Sequence, residues 1–388
     1  MPKTGAETRI ALLELEKALN NVLFERETAI RAAILALLAG VNCIFIGPPG
    51  SAKSLTLSMI ARAIKARYFQ ALLSMSSKPD ELFGAKDANA YLAGVVKYHT
   101  NGMLPDAEIA FLDEPCKVNS ATGNALLNVL NERTFVNGGQ VMDLPLLAVF
   151  GGANEVPQEE DLSAYYDRFL VRVHVPYIKS ATKFADMMFM TTPAQVSSDL
   201  CADDIMTARA EIDRVTANGV ARDSANRVKD ALATEGFTLS DRRWRQAARL
   251  MQANAWLNSR TFVSEMDMEV LVHVAWDLPE DQRRVETIVK KIANPLYEKA
   301  AELMDACRTA VEEASKRNDA ESKLDWITRI GRTLKKLNDG IVQLRGLISI
   351  NPPEMCEPLT TALADVEKAK EEMVQRSAML LSEVARGG

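Results

Sequence analysis

The sequence of 388 residues contains no apolar run of the roughly 18 residues that a membrane-spanning helix requires. Its opening segment, MPKTGAETRI, also lacks the apolar stretch and small-residue cleavage site of a secretion signal. We therefore expect a cytoplasmic protein without a membrane span.

Cysteine and histidine are scarce and scattered. The five cysteines are odd in number and form no CxxC pair, which argues against a disulfide framework and against a zinc knuckle. The three histidines, His99, His174 and His273, lie too far apart in the chain to indicate a local metal site. Each is expected to be a surface or packing residue.

Positive charge is not in excess. The 46 lysines and arginines face 52 aspartates and glutamates, which gives a net charge of -6 at pH 7. Sequence-independent binding of nucleic acid depends on lysine and arginine contacts to phosphate, so this balance argues against a nucleic-acid partner. The hydrophobic share of 47% is that of an ordinary globular protein, and the length predicts about two or three domains.

The strongest chemical signal is the segment GPPGSAKS at residues 47–54. It follows the apolar run VNCIFI and precedes the helical pattern LTLSMIARAIKA, which is the context of a phosphate-binding loop. Backbone N–H groups at a helix N-terminus cradle anions. Lys53 can then reach the β- and γ-phosphates, and the Ser54 hydroxyl can ligate Mg²⁺. Ala52 stands where the usual pattern has glycine, and the chemistry survives this change.

Two acidic residues, Asp113 and Glu114, end a second apolar run, IAFL. A carboxylate at the end of a neighbouring strand can hold Mg²⁺, usually through water, and the adjacent glutamate can orient the water that attacks the γ-phosphate. Strand ends often carry solvated charges, so the pair gains its weight from its position behind an apolar strand that follows the phosphate-loop signal.

A third apolar run, LLAVF, leads into GGANE, where the amide of Asn154 could hydrogen-bond the attacking water or the γ-phosphate. Arg168 follows in AYYDRFLVRV. An arginine in this position could reach the nucleotide of a neighbouring subunit, which accelerates hydrolysis by about 10³–10⁵ where it operates. The alternative is a surface salt bridge between Arg168 and Asp167.

Alternating strand and helix patterns predict an α/β fold with a parallel sheet. Residues 7–39 indicate two helices that end at Gly40, and residues 120–132 indicate another. Residues 134–144 indicate a hairpin around Asn137-Gly138.

Beyond this region the pattern is helical, with few strand signals. We predict three domains: an α/β core at residues 1–178, an α-helical domain at 179–294, and a C-terminal helical bundle or arm at 295–388. Gly340 and the stretch Asn351-Pro352-Pro353 are expected to divide the C-terminal part into about three helices. A coiled coil is less favoured because the a/d heptads are not sustained.

In this order and spacing the motifs resemble those of the MoxR family of AAA+ ATPases, in particular its RavA-like members. They are GPPGSAKS, FLDE, NALLNVLNERTF with NGG, GGANEVP and YYDRFLVR. SDRRWRQAARLMQANA resembles the sensor-2 helix of RavA, and LFERETAIRAAILALLAG resembles its opening helices. The resemblance covers roughly residues 8–290. It implies an AAA+ P-loop core with a parallel sheet, followed by an all-α lid and a C-terminal helical domain.

The resemblance also implies roles in binding nucleotide and metal. The residues expected to contact the phosphates are Gly50, Ser51, Ala52, Lys53, Ser54 and Leu55. Asp113 and Glu114 would form the Walker B motif, with Ser54 and Asp113 on Mg²⁺. The implied ligands are ATP or ADP and magnesium.

Four further positions match functional residues of the family. Asn154 would be sensor 1, and Arg168 would be the arginine finger. Arg242 is the expected sensor 2, with Arg243 as the alternative. Phe24 falls where RavA-like proteins place an aromatic ring against adenine, and its alternative is a packing role between two helices.

Two segments, VVKYHTNGMLP and TFVNGGQVMD, match positions where MoxR proteins place loops or hairpins around a central pore. Tyr98 could contact a client there, whereas Phe135 is better interpreted as a core residue. The C-terminal part departs from the resemblance, because RavA-like proteins carry a compact β-rich insert that is not indicated in this sequence. Properties of that insert are therefore not transferred.

The resemblance implies a homo-oligomeric ring, expected to be a hexamer, that hydrolyses ATP between subunits. Its expected role is chaperone-like remodelling or metal insertion, with a von Willebrand factor A-domain partner and an unidentified protein client. A nucleotide-gated oligomeric scaffold with little turnover is one alternative. A DNA-acting AAA+ motor is another, and the acidic composition argues against it.

Overall fold

The computed structural model describes residues 2–156, 165–190, 196–315, 322–351 and 353–386. The chain divides into two compact units, Met1–Glu286 and Thr287–Gly388. Within the described ranges, every helix is either too short or too polar to cross a membrane.

A parallel five-stranded sheet forms the centre of the first unit. The strands up to residue 174 are β1 Cys43–Ile46, β2 Tyr68–Leu72, β3 Ile109–Asp113, β4 Thr134–Asn137, β5 Gln140–Asp143, β6 Ala148–Ala153 and β7 Val171–His174. Five of them pair in the order β2-β3-β6-β1-β7, all in parallel, while β4 and β5 form a separate antiparallel hairpin. The predicted α/β fold with a parallel sheet is confirmed. The carboxyl ends of the five strands meet at one edge, where such folds bind ligands.

The helices of this region connect the strands. They are α1 Gly5–Asn20, α2 Glu27–Ala39, α3 Lys53–Ala63, α4 Pro79–Phe83, α5 Ala88–Leu92 and α6 Ser120–Glu132, with a 3₁₀ turn at Leu104–Asp106. α1 begins at a reciprocal cap between Thr4 and Glu7. α2 is buried along nearly its whole length and ends before Gly40. α1 and α2 are the two helices predicted for residues 7–39.

The inner strands form the core of the sheet. Phe45, Phe111 and Phe150 lie on β1, β3 and β6 and are almost completely buried. Burying a side chain of this size contributes about 1.5–3 kcal/mol to the free energy of folding. These strands were predicted from their apolar runs, whereas the sequence pattern did not predict the edge strands β2 and β7.

The β4–β5 hairpin is joined to residues 83–99, and we call the two segments together the insert lobe. The Asn137 side chain accepts a hydrogen bond from the backbone N–H of Tyr98 at 2.7 Å and donates to the Tyr98 carbonyl at 3.1 Å. Gly138 N–H donates to the Val96 carbonyl at 3.0 Å. Segments that are distant in sequence are therefore held together at the backbone.

An aromatic cluster packs inside the insert lobe. The rings of Phe83 and Phe135 stack with their centroids 4.6 Å apart, and Tyr98 packs against both. Phe135 is buried, so its interpretation as a core residue is confirmed. The lobe also exposes several large apolar side chains, those of Tyr91, Leu92, Val95, Val96, Val136 and Val141.

A helical layer follows β7. Its helices are α7 Ala181–Met188, α8 Ala202–Ile212, α9 Gly219–Thr234, α10 Asp241–Leu257 and α11 Gln282–Ala293, with 3₁₀ segments at Glu265–His273 and Pro279–Asp281. A short parallel pair, β8 Thr216–Ala217 and β9 Phe262–Val263, lies among them. α10 packs against α2 and against the 3₁₀ segment Glu265–His273. This layer forms the helical lid of the predicted fold.

The second unit begins within α11, at Thr287, and contains α12 Pro295–Ser315, α13 Lys323–Ile350 and α14 Glu357–Arg386, with a 3₁₀ turn at Pro353–Met355. The three helices pack around a common apolar core that includes Ala314, Ile330, Leu337, Leu344, Leu359 and Val366. The prediction of about three helices is confirmed, with a break after Ile350. The predicted break at Gly340 is wrong, because this residue lies inside α13. A Cβ atom at Gly340 would come within 2.8 Å of Cys307 Sγ, so the glycine permits α13 to pack closely on α12.

Candidate nucleotide-binding site

The phosphate loop, residues 47–54, leaves the carboxyl end of β1 and enters α3. Gly47 N–H donates to the Ala153 carbonyl at 3.0 Å, which ties the loop to the end of β6. Ala52 precedes α3 in the left-handed conformation, with φ at 67°. This conformation costs a residue with a side chain about 1–2 kcal/mol. The loop thereby places the N-terminus of α3, which favours anions, at the ligand-binding edge of the sheet.

Lys53 is held inside this loop. Its side-chain ammonium donates to the carbonyls of Gly47 at 2.6 Å and Pro48 at 3.1 Å, and to Asn154 Oδ1 at 3.2 Å. The residue is only 8% exposed. Burial lowers the pKa of the Lys53 ammonium, while the negative charges of Asp113 and Glu114 oppose that shift. The structure thus brings Lys53 and Asn154 together.

Asp113 ends β3 opposite Gly152 of β6. A Cβ atom at Gly152 would lie 2.6 Å from the Phe111 ring and 3.0 Å from Asp113 Oδ1, so the glycine leaves room for this carboxylate. Burial raises the pKa of Asp113, the charge of Glu114 raises it further, and Lys53 lowers it. The carboxyl group is therefore destabilised in its charged form and suited to a cationic ligand.

Glu114 adopts the left-handed conformation, with φ at 54°. Its N–H donates to the Gly152 carbonyl at 2.6 Å, which fixes the turn after β3. The Glu114 carboxylate is mostly buried and lies 3.4 Å from the Lys117 ammonium. Residues in this sparsely populated conformation concentrate at functional sites.

A cavity of about 390 Å³ opens beside the phosphate loop. Its lining includes Phe24, Gly50, Ser51, Ala52, Leu55 and Phe184. The structure therefore brings Phe24 together with four of the predicted phosphate-loop residues. The lining is mostly apolar and includes the aromatic rings of Phe24, Tyr177 and Phe184, as suits a flat heterocyclic base.

Three residues near this cavity were missed from the sequence. Arg26 is buried and donates from Nε to the Ser51 carbonyl at 2.9 Å and from Nη2 to the Pro176 carbonyl at 2.9 Å. The Tyr177 hydroxyl donates to the Pro49 carbonyl at 3.0 Å. The Glu25 carboxylate accepts two backbone N–H groups, from residues 179 and 180. A motif search has no signal for such contacts, because the acceptors of Arg26 and Tyr177 are backbone carbonyls.

Arg168 lies before β7, close to the lid. Its side chain is 20% exposed and its Nη1 lies 4.0 Å from Asp167, while none of the described residues is a hydrogen-bond partner of its buried Nε. Asp167 makes closer contacts with the lid, since it accepts hydrogen bonds from Arg242. The salt bridge expected as the alternative for Arg168 is thus a long one.

Arg242 and Arg243 are neighbours on α10 with different surroundings. Arg242 is partly exposed and reaches Asp167. Arg243 is buried and bonds to Asp277 at 3.0 Å and to the Val274 carbonyl. Burial lowers the pKa of Arg243. Neither arginine lines the cavity beside the phosphate loop.

The residues present suit a magnesium nucleotide. Ser51 is 2% exposed, and within the described part of the chain its hydroxyl has no hydrogen-bond partner, so it can still donate to a phosphate oxygen. Mg²⁺ in such sites takes one or two carboxylates and the phosphates of the substrate rather than a complete protein cage. Asp113, with the hydroxyl of Ser54 at the start of α3, supplies donors of that kind.

The parallel sheet, the phosphate loop at its edge and the helical lid define a P-loop nucleotide-binding fold. Residues 10–214 match the family described as the MoxR domain in the MoxR-vWA-beta-propeller ternary systems, and residues 222–289 match the AAA lid domain. The chain belongs to the MoxR family of AAA+ ATPases. Its assignment to the RavA-like branch stays a prediction.

Individual relatives agree with this assignment. An uncharacterized protein of Methanocaldococcus jannaschii, MJ0812, is 32% identical over 92% of this chain and 97% of its own length. The chaperone MoxR1 of Mycobacterium tuberculosis is 24% identical over 53% of this chain and 56% of its own. The crystal structure of a candidate ATPase from Cytophaga hutchinsonii matches with a TM-score of 0.60 at 20% identity, covering 74% of this chain and 94% of that one. The last match concerns the fold alone.

Proposed function

We propose that this protein hydrolyses ATP with Mg²⁺ at the carboxyl edge of its parallel sheet. The observation that carries the proposal is the buried Lys53 ammonium, which is held by the carbonyls of Gly47 and Pro48 and by Asn154. An ammonium group surrounded by neutral oxygens gains strong, charge-assisted contacts from phosphate oxygens. Membership of an AAA+ ATPase family supports the same activity.

Each residue at this edge has a proposed task. Lys53 and the N–H groups of the phosphate loop bind the β- and γ-phosphates of ATP. Ser54 and Asp113 would hold Mg²⁺, which when bound neutralises charge on the phosphate oxygens. Glu114 orients the attacking water and accepts its proton, and Asn154 hydrogen-bonds the same water. The remaining contacts hold the nucleotide, with Gly50, Ser51, Ala52 and Leu55 on the phosphates and Phe24 on the base.

We propose that hydrolysis occurs between subunits of a homo-oligomeric ring, with a hexamer as the expected form. Among the described residues the ion pair of Arg168 is the 4.0 Å contact to Asp167, and its side chain is 20% exposed, so we propose that its guanidinium reaches a neighbour's γ-phosphate in the ring. Arg242 is proposed as sensor 2, because its side chain is 39% exposed at the boundary between lid and core, whereas that of Arg243 is 6% exposed. Movement of the lid through Arg242 would then report the nucleotide state.

The biological role proposed is chaperone-like remodelling, or an assembly step such as metal insertion, with a von Willebrand factor A-domain protein as partner. The description of the matching family names MoxR-vWA-beta-propeller systems, and one relative is named a chaperone. We place the protein in the cytoplasm and retain three domains, at residues 1–178, 179–294 and 295–388.

The proposal is tested by phosphate release from purified protein with MgATP. Glu114→Gln should lower the rate by about 10²–10⁴ while ATP binding is kept, because it removes the acceptor of the water's proton. Glu155→Gln is the matched control, since Glu155 is a mostly exposed neighbour of Lys117, and it should retain the wild-type rate. A wild-type rate no higher than that of Glu114→Gln, with ATP binding kept in both proteins, would contradict the proposal and favour the nucleotide-gated scaffold.

A DNA-acting motor is the other alternative. It requires hydrolysis that increases when nucleic acid is added, whereas an acidic protein of net charge -6 is expected to show no such increase. Titrating single- and double-stranded DNA into the same phosphate-release assay distinguishes the proposed function from a DNA-acting motor.

A further inference from the structure

The side chain of Arg26 connects three segments of the chain around the phosphate loop. It lies just before α2, is 4% exposed, and donates to the carbonyls of Glu25 at 2.6 Å, Ser51 at 2.9 Å and Pro176 at 2.9 Å. The acceptors of Arg26 are neutral carbonyl oxygens, and none of the described carboxylates forms a salt bridge with its guanidinium. Arg26 also lines the cavity together with Phe24. A buried cation therefore contacts the phosphate loop directly.

The contact with Ser51 fixes the direction of a peptide group. In a planar trans peptide the carbonyl of one residue and the N–H of the next point in opposite directions. Arg26 holds the Ser51 carbonyl, so the N–H of Ala52 is directed away from Arg26. In an anion cradle it is the N–H groups that must face the ligand.

Tyr177 acts in the same way on another peptide of the loop. Its hydroxyl donates to the Pro49 carbonyl at 3.0 Å, which directs the N–H of Gly50 away from Tyr177. The segment that carries Tyr177 is itself fixed, since Arg26 holds the Pro176 carbonyl and Glu25 accepts backbone N–H groups from residues 179 and 180 at 2.8 Å. The orientation of the loop thus depends on residues outside the phosphate-loop motif.

We propose that Arg26 is a positioning residue for nucleotide phosphates, assisted by Tyr177: it orients the N–H groups of the loop and links the loop to the base-binding side of the cavity. The proposal rests on the nucleotide binding proposed above. It requires that loss of Arg26 weaken the binding of phosphates more than the binding of the base.

The test compares the dissociation constants of ADP and adenosine, measured by calorimetry or by ligand-observed NMR, for the wild type and single variants. Arg26→Gln should weaken ADP binding by about 10- to 100-fold, the value of a hydrogen bond from a charged donor, and adenosine binding by less than about threefold. Arg26→Lys keeps the charge but not the fork of donors, so it should recover part of the affinity for ADP.

Tyr177→Phe provides a second variant that removes a single hydroxyl from a partly exposed side chain. It should weaken ADP binding by about three- to tenfold and leave adenosine binding unchanged. Arg31→Gln is the control, because Arg31 lies on α2 and pairs with Glu16 rather than with the loop. Its affinity for both ligands should equal that of the wild type.

Two results would overturn the proposal. One is equal affinity for ADP in the wild type, Arg26→Gln and Tyr177→Phe. The other is an equal loss of ADP and adenosine binding in both variants, which would indicate general damage to the cavity. Failure of the proposed function has a different signature, namely a wild-type protein that binds neither ADP nor MgATP.

Discussion

Arg242 of the lid donates hydrogen bonds to Asp167 of the core, the residue that immediately precedes Arg168. Arg243, the next residue of α10, bonds to Asp277 and the Val274 carbonyl, and its Nε lies 3.8 Å from Asp167 Oδ1. The side chain of Arg242 is 39% exposed and that of Arg243 is 6% exposed. Two consecutive arginines therefore have separate tasks, one at the boundary between lid and core and one inside the packing.

This division predicts different effects of the two alanine variants. Arg243→Ala should lower the free energy of unfolding by about 1–3 kcal/mol, because it leaves the buried Val274 carbonyl without its donor. Arg242→Ala should cost less than about 1 kcal/mol yet reduce ATP hydrolysis. Denaturant unfolding and phosphate release, measured on the same preparations, check both. The reverse pattern would make Arg243 the sensor.

A finger acting between subunits can be tested by mixing inactive variants. Arg168→Ala and Lys53→Ala should each lower hydrolysis by at least about 100-fold. In mixed rings about one quarter of the interfaces combine an intact Lys53 with an intact Arg168, since each is present in half of the subunits. Activity should therefore reappear on mixing at equal concentrations. Rings that exchange subunits without regaining activity would contradict action in trans.

The left-handed conformation of Ala52 predicts an unusual tolerance for glycine. Ala52→Gly relieves the conformational cost at φ 67°, which offsets the entropy of glycine in the unfolded chain. Its unfolding free energy should lie within about 1 kcal/mol of the wild type, and nucleotide binding should be kept.

Two comparisons make the Ala52 prediction specific. Ala225→Gly, in the middle of α9, should cost about 1 kcal/mol. Ala52→Val should cost about 1–3 kcal/mol, because a β-branched residue is strained in this conformation. Denaturant unfolding measures all three, and equal costs for the two glycine variants would show that the conformation of Ala52 is not strained.

The raised pKa of Asp113 predicts a pH-dependent stability for the nucleotide-free protein. Because burial raises this pKa above its ordinary value of 3.8, the folded state binds more protons at Asp113 than the unfolded state. The stabilising contribution of Asp113 is complete below pH 3.8 and is lost as the pH rises through the folded pKa. Asp113→Asn should therefore gain stability over the wild type progressively as the pH rises above about 3.8, until Asp113 is deprotonated in the folded state as well.

The matched control for Asp113 is Asp87→Asn. A hydrogen bond from the Ala90 backbone lowers the pKa of Asp87, so the sign is opposite. Its carboxylate stabilises the fold above its ordinary pKa, and that contribution is lost on acidification. Denaturant unfolding across the pH range tests both variants. A gap between Asp113→Asn and the wild type that does not change with pH would contradict the prediction.

The central strands could be predicted because they are buried on both faces of the sheet and therefore consist of contiguous apolar residues. The edge strands could not. β2 leaves Gln70 and Leu72 exposed, so its run is interrupted. β7 contains Arg172, which is buried beneath the Tyr166 ring and bonds to residues 276 and 277. A charged residue whose partners lie about a hundred positions away gives no local sign that it is buried.

The candidate site shows the same limit. Lys53, Asp113 and Asn154 could be predicted from the sequence because each belongs to a local motif: Lys53 to the phosphate loop after β1, and Asp113 and Asn154 to the segments where β3 and β6 end. Arg26 is visible only in three dimensions, since its acceptor Ser51 is a backbone carbonyl that any residue could supply. The helix break predicted at Gly340 is wrong for a similar reason. A glycine that relieves crowding between two helices has the same local sequence pattern as a glycine that ends a helix.

The reciprocal bonds between Asn137 and Tyr98 have a mechanical consequence. The turn at Glu114 leads into α6, and the hairpin that carries Asn137 begins directly after that helix. A displacement of α6 would therefore move both segments of the insert lobe together, along with the exposed apolar side chains that they carry. A single helix, α6, thus couples the turn at Glu114 to the position of the insert lobe.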